Sequence, residues 1–230
     1  MIYVTSDAHG TSLARFLRLL DRAGFGDADR LFVLGDVIDR NGDGGAAMLR
    51  WILGRQNVEL LLGNHEKMLL ECSFLFEGRK AAETTAQMRA QMLWTRNGAG
   101  VTIESLQALG KASPDVLKEI LGMLRSAPLY RRVCAGGREC LLVHAGLGNF
   151  SPEKKLEDYE PRELLWTRPS PEERYFPDVL TVFGHTPTGL YYGEWGRMFT
   201  AQTWVNIDTG AAGGGFPMLL RLEDLQPFYA

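Results

Sequence analysis

Histidine is scarce in this 230-residue chain, with four residues, and cysteine is scarcer still, with three. Cys72, Cys134 and Cys140 are odd in number and lack the paired spacing of a zinc finger. That argues against a disulfide framework and predicts reduced thiols, buried or inert, in a cytoplasmic protein. Long apolar runs are missing too. No stretch approaches the roughly 20 apolar residues of a membrane span, and the chain opens on a strand-like run, Ile2 to Thr5, rather than on a basic and apolar leader; no membrane partner is expected. Nor is there an excess of positive charge. A net charge of −3 and a pI near 5.9 provide no broad basic surface for nucleic acid, so anion binding is expected only inside a pocket. What remains is ordinary globular composition, 45% apolar and 23% charged. The length suits a single domain, residues 1–230, with room for a buried core.

Three β-like runs, Ile2 to Thr5, Leu31 to Leu34 and Val58 to Leu62, alternate with helical patterns at Ser12 to Ala23 and Gly45 to Leu53. This is the βαβαβ rhythm of a largely parallel sheet. Each strand runs into a polar cluster, and ligands of open α/β sheets bind beyond the carboxyl ends of the strands. The clusters are therefore expected on one rim.

From about residue 66 to 125 the apolar spacing turns helical, through Met68, Leu69 and Cys72, then Met88, Met92 and Leu93, then Val116, Leu117, Ile120 and Leu124. This predicts a helical insertion that supplies shape beside a site rather than chemistry. Strands resume at Leu129 to Cys134 and Glu139 to Val143 around the hairpin signal Ala135-Gly136-Gly137-Arg138. Leu180 to Phe183 follows, and the last two strands are predicted at Thr203 to Ile207 and Met218 to Leu222. The intervening Gly210 to Gly215 reads as a loose turn, since a phosphate-cradling loop would open a helix.

All four histidines fall in five short segments: Asp7-Ala8-His9-Gly10, Gly35 to Arg40, Gly63-Asn64-His65-Glu66, His144-Ala145-Gly146 and Gly184-His185-Thr186. Asp7 and His9, two apart, point to one side of an extended segment. Asp36, Asn64, His144 and His185 each follow a separate strand. Carboxylate, amide and imidazole donors together suit manganese, iron or zinc. Two such ions must sit roughly 3.5 to 4 Å apart on a shared ligand, for which Asp36 is the candidate, and they activate a water for in-line attack on phosphorus. His65, oriented by Asp39, is the candidate acid for the leaving oxygen, Asp39 being expected to raise its pKa and fix its tautomer. Arg40 and Arg168 offer planar forks for phosphoryl oxygens.

These segments, with Trp94, Arg96-Asn97-Gly98, Leu165-Trp166-Thr167-Arg168 and Asn206 to Gly210, resemble the phosphoprotein phosphatase group of calcineurin-like metallophosphoesterases. Within it they are most similar to short bacterial and phage serine/threonine phosphatases. The resemblance covers most of the chain. It implies an α/β fold of two facing mixed β-sheets flanked by helices. It also implies two divalent metal ions, manganese first, with Asp7, His9, Asp36 and His185 around one and Asp36, Asn64 and His144 around the other. His65 and Asp39 match the acid pair, and Arg40 and Arg168 the phosphate-binding arginines. The implied reaction is hydrolysis of phosphomonoesters, with phosphoserine or phosphothreonine in a protein as the leading substrate. A small phosphoester is the alternative partner, above all diadenosine tetraphosphate, whose hydrolases share the motifs but are usually longer. Two departures, Ser6 and Asn41 where the family usually has glycine, remove no ligand; the loop Asn41-Gly42-Asp43-Gly44 also lacks the family's usual proline, which bears on Arg40 and the substrate side of the pocket.

Simpler readings stand beside these. Asp39 and Arg40 could form a structural ion pair, and Arg168 could be a solvated arginine. Glu66 reads as a carboxylate stabilising the first turn of a helix. Asn206 and Asp208 read as turn or supporting residues, and Trp94, Asn97 and Trp166 as packing or loop-ordering ones. A non-catalytic phospho-ligand binding protein would have lost a ligand or the acid, and neither is missing.

Overall fold

Side chains alternating across short strands build two layers in the computed structural model, which describes residues 1–78, 82–191, 193 and 195–230. Residues 79–81 of the expected insertion lie outside the described residues. The strands are β1 (Ile2–Thr5), β2 (Arg30–Val33), β3 (Val58–Leu60), β4 (Tyr130–Ala135), β5 (Arg138–Val143), β6 (Val179–Phe183), β7 (Phe199–Thr200), β8 (Trp204–Asn206), β9 (Leu219–Arg221) and β10 (Gln226–Phe228). The helices are α1 (Leu13–Arg22), α2 (Ala46–Leu53), α3 (Asn64–Glu71), α4 (Thr85–Arg96), α5 (Gly100–Ala112), α6 (Pro114–Ser126) and α7 (Pro161–Leu165).

One sheet has the order β10-β9-β1-β2-β3 and the other β4-β5-β6-β8-β7. β1, β2 and β3 pair in parallel, as the βαβαβ rhythm predicts. β9 adds antiparallel to β1 and makes the sheet mixed. The two sheets face each other. Val4, Phe32, Leu34 and Leu220 from the first meet Cys140, Leu142, Val182 and Val205 from the second in one buried cluster. Their neighbours Tyr3, Leu31 and Val33 point the other way, onto Phe16, Leu19 and Leu20 of α1 and Met48, Leu49 and Ile52 of α2. A period of two in the strands and of three to four in the helices thus fills three layers, and each buried Leu, Phe or Val contributes about 1.5–3 kcal/mol.

The hairpin signal is realised: Ala135 pairs with Arg138 across Gly136 and Gly137, whose φ values of 57° and 76° suit a type I′ turn. The sequence reading lacks three elements. β7 is two residues long and α7 five, too short for periodicity to register, and β10 follows the strand expected to be the last. α3 to α6 occupy the stretch expected as an insertion and pack onto the first sheet's helical layer through Trp94, Leu106, Ile120 and Leu124. No helix among the described residues is long and apolar enough to cross a membrane. The three cysteines are free. Cys72 and Cys140 are buried and pushed up to about 11 chiefly by desolvation, which makes them inert thiols, whereas Cys134 is exposed.

Candidate metal centre

The chain turns sharply beyond the strand ends. Asp7 lies two residues past β1, Asp36 three past β2, Asn64 opens α3 after β3, His144 directly follows β5 and His185 lies two past β6. The backbone ladders continue into these turns: Asp7 N–H donates to Gly35 O at 3.1 Å, His9 N–H to Asp36 O at 2.9 Å, and Gly184 N–H to His144 O at 2.8 Å. So close an approach leaves no room for side chains at the motif glycines. A Cβ on Gly35 would overlap the backbone of Gly63, and one on Gly184 would overlap the carboxylate of Asp7.

Among the described residues, eight that are not glycine have positive φ, and six of them are Asp7, His9, Asp36, Asp39, Arg40 and His185. Such backbone costs of order 1–3 kcal/mol per residue and persists only where the surroundings enforce it. Here it turns consecutive side chains into one buried cluster. Asp7, His9, Asp36, Asp39, Asn64, His65, His144 and His185 are all buried.

Asp36 is at the centre. One carboxylate oxygen lies 3.7 Å from His9 Nε2 and 3.8 Å from His65 Nε2, and the other lies 3.5 Å from His144 Nε2. The latter oxygen also accepts the His65 backbone N–H, at the N-terminus of α3, at 3.0 Å. Asp36, His144 and His185 present donor atoms within 4.8 Å of one another, and so do His9, Asp36 and His65. His185 therefore falls on the His144 side: its Nδ1 is 3.2 Å from His144 Nε2. The family pattern had grouped it with Asp7 and His9. Its link to Asp7 is made by the backbone instead, where His185 N–H donates to Asp7 Oδ2 at 2.8 Å.

The donor set fits divalent metal ions. His144 Nδ1 donates to Leu34 O at 2.7 Å, and His9 Nδ1 to Ile38 O at 3.0 Å, which turns each Nε2 lone pair inward. His144 Nε2 then meets Asn64 Oδ1 at 2.8 Å as well as His185 Nδ1, so lone pairs converge without enough protons to share. A cation satisfies that arrangement. Charge points the same way. Burial, then Asp208, raises Asp7; burial, then Asp7, raises Asp36; burial, then His65, lowers His9. Burial also holds His144 down to about 3 and, with His144 and Arg168, lowers His185. Bound cations favour ionised carboxylates and neutral imidazoles, reversing the first shift and exploiting the second.

His65 and Asp39 form the expected pair, with Nδ1 and Oδ2 2.6 Å apart. The tautomer is fixed, because the Nδ1 proton faces Asp39 and Nε2 faces Arg40 Nη2 at 3.3 Å. The expected rise in pKa is absent: burial and then the Arg40 guanidinium push His65 down to about 3, while burial pushes Asp39 up to about 6. Asp39 also accepts Trp94 Nε1–H at 2.7 Å and Thr102 Oγ–H at 2.5 Å. Its own N–H donates to Thr102 Oγ1 at 2.9 Å. Two side chains from the stretch expected as an insertion, Trp94 and Thr102, thus hold the Asp39 carboxylate, while Met68, Leu69, Leu117 and Leu124 supply packing. Thr102 had no signal in the sequence, since it is an ordinary helix residue 63 positions from its partner.

Arg40 and Arg168 are exposed on the rim. Arg40 N–H donates to Gly98 O at 3.1 Å, and Arg168 Nη1 donates to His185 O at 3.2 Å and to Thr186 Oγ1 at 3.3 Å. The two departures from the family pattern have roles. Ser6 Oγ–H donates to Asp7 Oδ2, and Asn41 Nδ2 donates to His9 O and to Ala211 O, each at 3.1 Å. Glu66 does stabilise the start of α3 through Gly63 N–H, and it also clamps the metal loop: Asp36 N–H and Val37 N–H donate to its two oxygens, both at 2.8 Å. Asp208 is a turn residue as read, with Oδ1 accepting Gly210 N–H at 2.9 Å, and burial pushes it up to about 6 against the pull of Arg168 and Arg40.

Two facing mixed sheets with paired donor clusters at their strand ends define a metal-dependent phosphoesterase scaffold. The chain belongs to the calcineurin-like phosphoesterase family, whose model matches residues 1–209. It is 33% identical over 157 residues to a symmetrical bis(5'-nucleosyl)-tetraphosphatase of Acidovorax sp. (strain JS42), an alignment covering 67% of this chain and 47% of that protein. The chain thus spans about half the length of the curated relatives it matches. A solved structure described as a diadenosine tetraphosphatase superposes with a TM-score of 0.62 at 16% identity, over 100% of this chain and 92% of that one. A Saccharomyces cerevisiae serine/threonine phosphatase with similarity to human PP5 superposes with a TM-score of 0.60 at 17% identity, over 100% of this chain and 79% of that one. These two likenesses concern the fold.

Proposed function

We propose that the protein is a two-metal phosphohydrolase and that its substrate is a symmetrical dinucleoside tetraphosphate. The observation that carries the reaction is the convergence of lone pairs around Asp36. On this reading Asp7, His9 and Asp36 hold one ion, and Asp36, Asn64, His144 and His185 hold the other. Manganese is the first choice, with iron or zinc as alternatives. Bound there, two such ions supply a water of near-neutral pKa and neutralise charge on phosphorus.

The chain's own residues do the rest. Arg40 and Arg168 bind and orient the phosphoryl oxygens. His65 faces the leaving oxygen through Nε2, with Asp39 fixing its ring at 2.6 Å. An arriving phosphate dianion draws the Arg40 guanidinium off His65, removing one of the two influences that keep its pKa low. His65 can then take up a proton from solvent at Nε2, with Nδ1–H kept on Asp39, and deliver it to the leaving oxygen, returning to the neutral ring. The burial of Asp36 and His144 keeps bulk water from competing for the same donors.

The curated relatives move the substrate toward the dinucleotide. The phosphoserine or phosphothreonine reading is the second one, supported by the motif set that ends on the two rim arginines, with Arg40 seated on Gly98. Hydrolysis of diadenosine tetraphosphate and of a phosphoserine peptide, both with added manganese and with Asp36→Asn protein as the blank, separates them. A higher kcat/KM for the dinucleotide is expected. Preference for the peptide would overturn the substrate assignment and leave the metal centre standing.

A further inference from the structure

Trp195 has no part in the chemistry above, and it is 64% exposed. Single exposed apolar side chains are common on protein surfaces. Its position sets this one apart. The indole lies on Gly189, where a Cβ would overlap the ring, and its six-membered edge reaches Gly210. Both glycines belong to the rim. Gly210 N–H holds the carboxylate of Asp208, and Thr188 N–H, beside Gly189, donates to Asp208 O at 2.9 Å. The next residue, Ala211, is tied by Asn41 to the Arg40 turn. On the other side Tyr191 Oη–H donates to Pro169 O at 3.1 Å, next to Arg168. The ring is thus backed by glycine on one face, largely exposed, and seated on two turns, at Gly189 and Gly210, whose neighbours Tyr191 and Ala211 are hydrogen-bonded to the segments that carry the arginines.

We infer that Trp195 is a stacking platform for a nucleobase of the substrate, placed so that the attached phosphates reach Arg40 and Arg168. The inference deepens the dinucleotide reading and rests on it. A base stacks on an aromatic face without needing sequence-specific hydrogen bonds, and the anionic chain between base and reaction centre matches two exposed guanidinium groups. Trp195 contacts neither phosphorus nor the leaving oxygen, so it determines specificity.

The test compares KM for diadenosine tetraphosphate with Ki for inorganic tetraphosphate, which has the charge and lacks the bases, in wild type, Trp195→Ala and Trp195→Phe. In Trp195→Ala the ratio of KM to Ki should rise about tenfold, within what one stacked base contributes, with kcat falling far less. Trp195→Phe should recover most of the loss. If the wild type hydrolyses the dinucleotide, an unchanged ratio in Trp195→Ala would overturn the inference alone. Turnover of a phosphoserine peptide with none of the dinucleotide would overturn the substrate reading and the inference together.

Discussion

Glu66→Gln separates two roles for one carboxylate by magnitude. A carboxylate in the first turn of a helix contributes about 0.3–1 kcal/mol through the macrodipole. Glu66 is wholly buried, however, and accepts backbone N–H groups from Asp36 and Val37 at 2.8 Å, from Gly63 at 3.2 Å and from Ile38 at 3.4 Å. The glutamine amide keeps one acceptor and turns an NH2 toward the remaining N–H groups. The orientation that preserves the oxygen facing Asp36 and Gly63 leaves Val37 N–H and Ile38 N–H facing another donor. One close charge-assisted hydrogen bond and one long one are lost and the others become neutral, a cost of about 3 kcal/mol. In a domain of this size that lowers Tm by roughly 6–12 °C, taking 2–4 °C per kcal/mol. The assay is thermal unfolding of chelator-treated wild type and variant, so that metal binding does not mask the difference. Manganese binding, titrated separately, should weaken as well, because the clamp holds the loop that carries Asp36. A Tm within about 2 °C of wild type, near the smaller macrodipole effect, would refute the clamp.

Asp36→Asn should lose metal and activity together, as measured by metal analysis of the purified protein beside turnover, since one side chain serves both donor groups. His65→Asn should retain bound metal and slow hydrolysis by roughly 10²–10⁴-fold for a poor leaving group; a near-wild-type rate would remove His65 as the acid. Arg168→Ala should weaken substrate binding and lower kcat/KM while metal content stays unchanged, and loss of metal would mark the arginine as structural through His185 O. Thr102→Val removes one donor from the Asp39 carboxylate and the acceptor for Asp39 N–H, costing about 2–4 kcal/mol of stability, readable in urea unfolding.

Local order was legible in the sequence wherever a period repeated. β1 and the β4–β5 hairpin match the alternation of apolar residues and the Gly136-Gly137 signal, and α1 and α2 match their apolar spacing. The candidate ligands were legible because rare residue types recur at strand ends. Two features were not. The grouping of His185, given only by the resemblance, depends on how the turn after β6 directs its ring, and that turn has a positive φ at His185 that no local pattern in the sequence signals. The pKa of His65 depends on burial and on Arg40, neither of which sequence adjacency to Asn64 reveals.

Two helices outside both sheets reach the candidate acid pair. α4 sends Trp94 Nε1–H to Asp39 Oδ2, the same oxygen that meets His65, and α5 sends Thr102 to Oδ1. Three protons therefore converge on one buried carboxylate, from the indole, the hydroxyl and the His65 ring, while Asp39 N–H holds the Thr102 hydroxyl in place. Each favours the ionised carboxylate against the burial that pushes it up to about 6. The acid pair is thus oriented by helices that lie outside both sheets. A change of insertion that altered the pocket for a different substrate would have to preserve the positions of Trp94 and Thr102 or lose the orientation of His65. Drift in substrate preference and retention of catalysis are consequently constrained by the same two side chains.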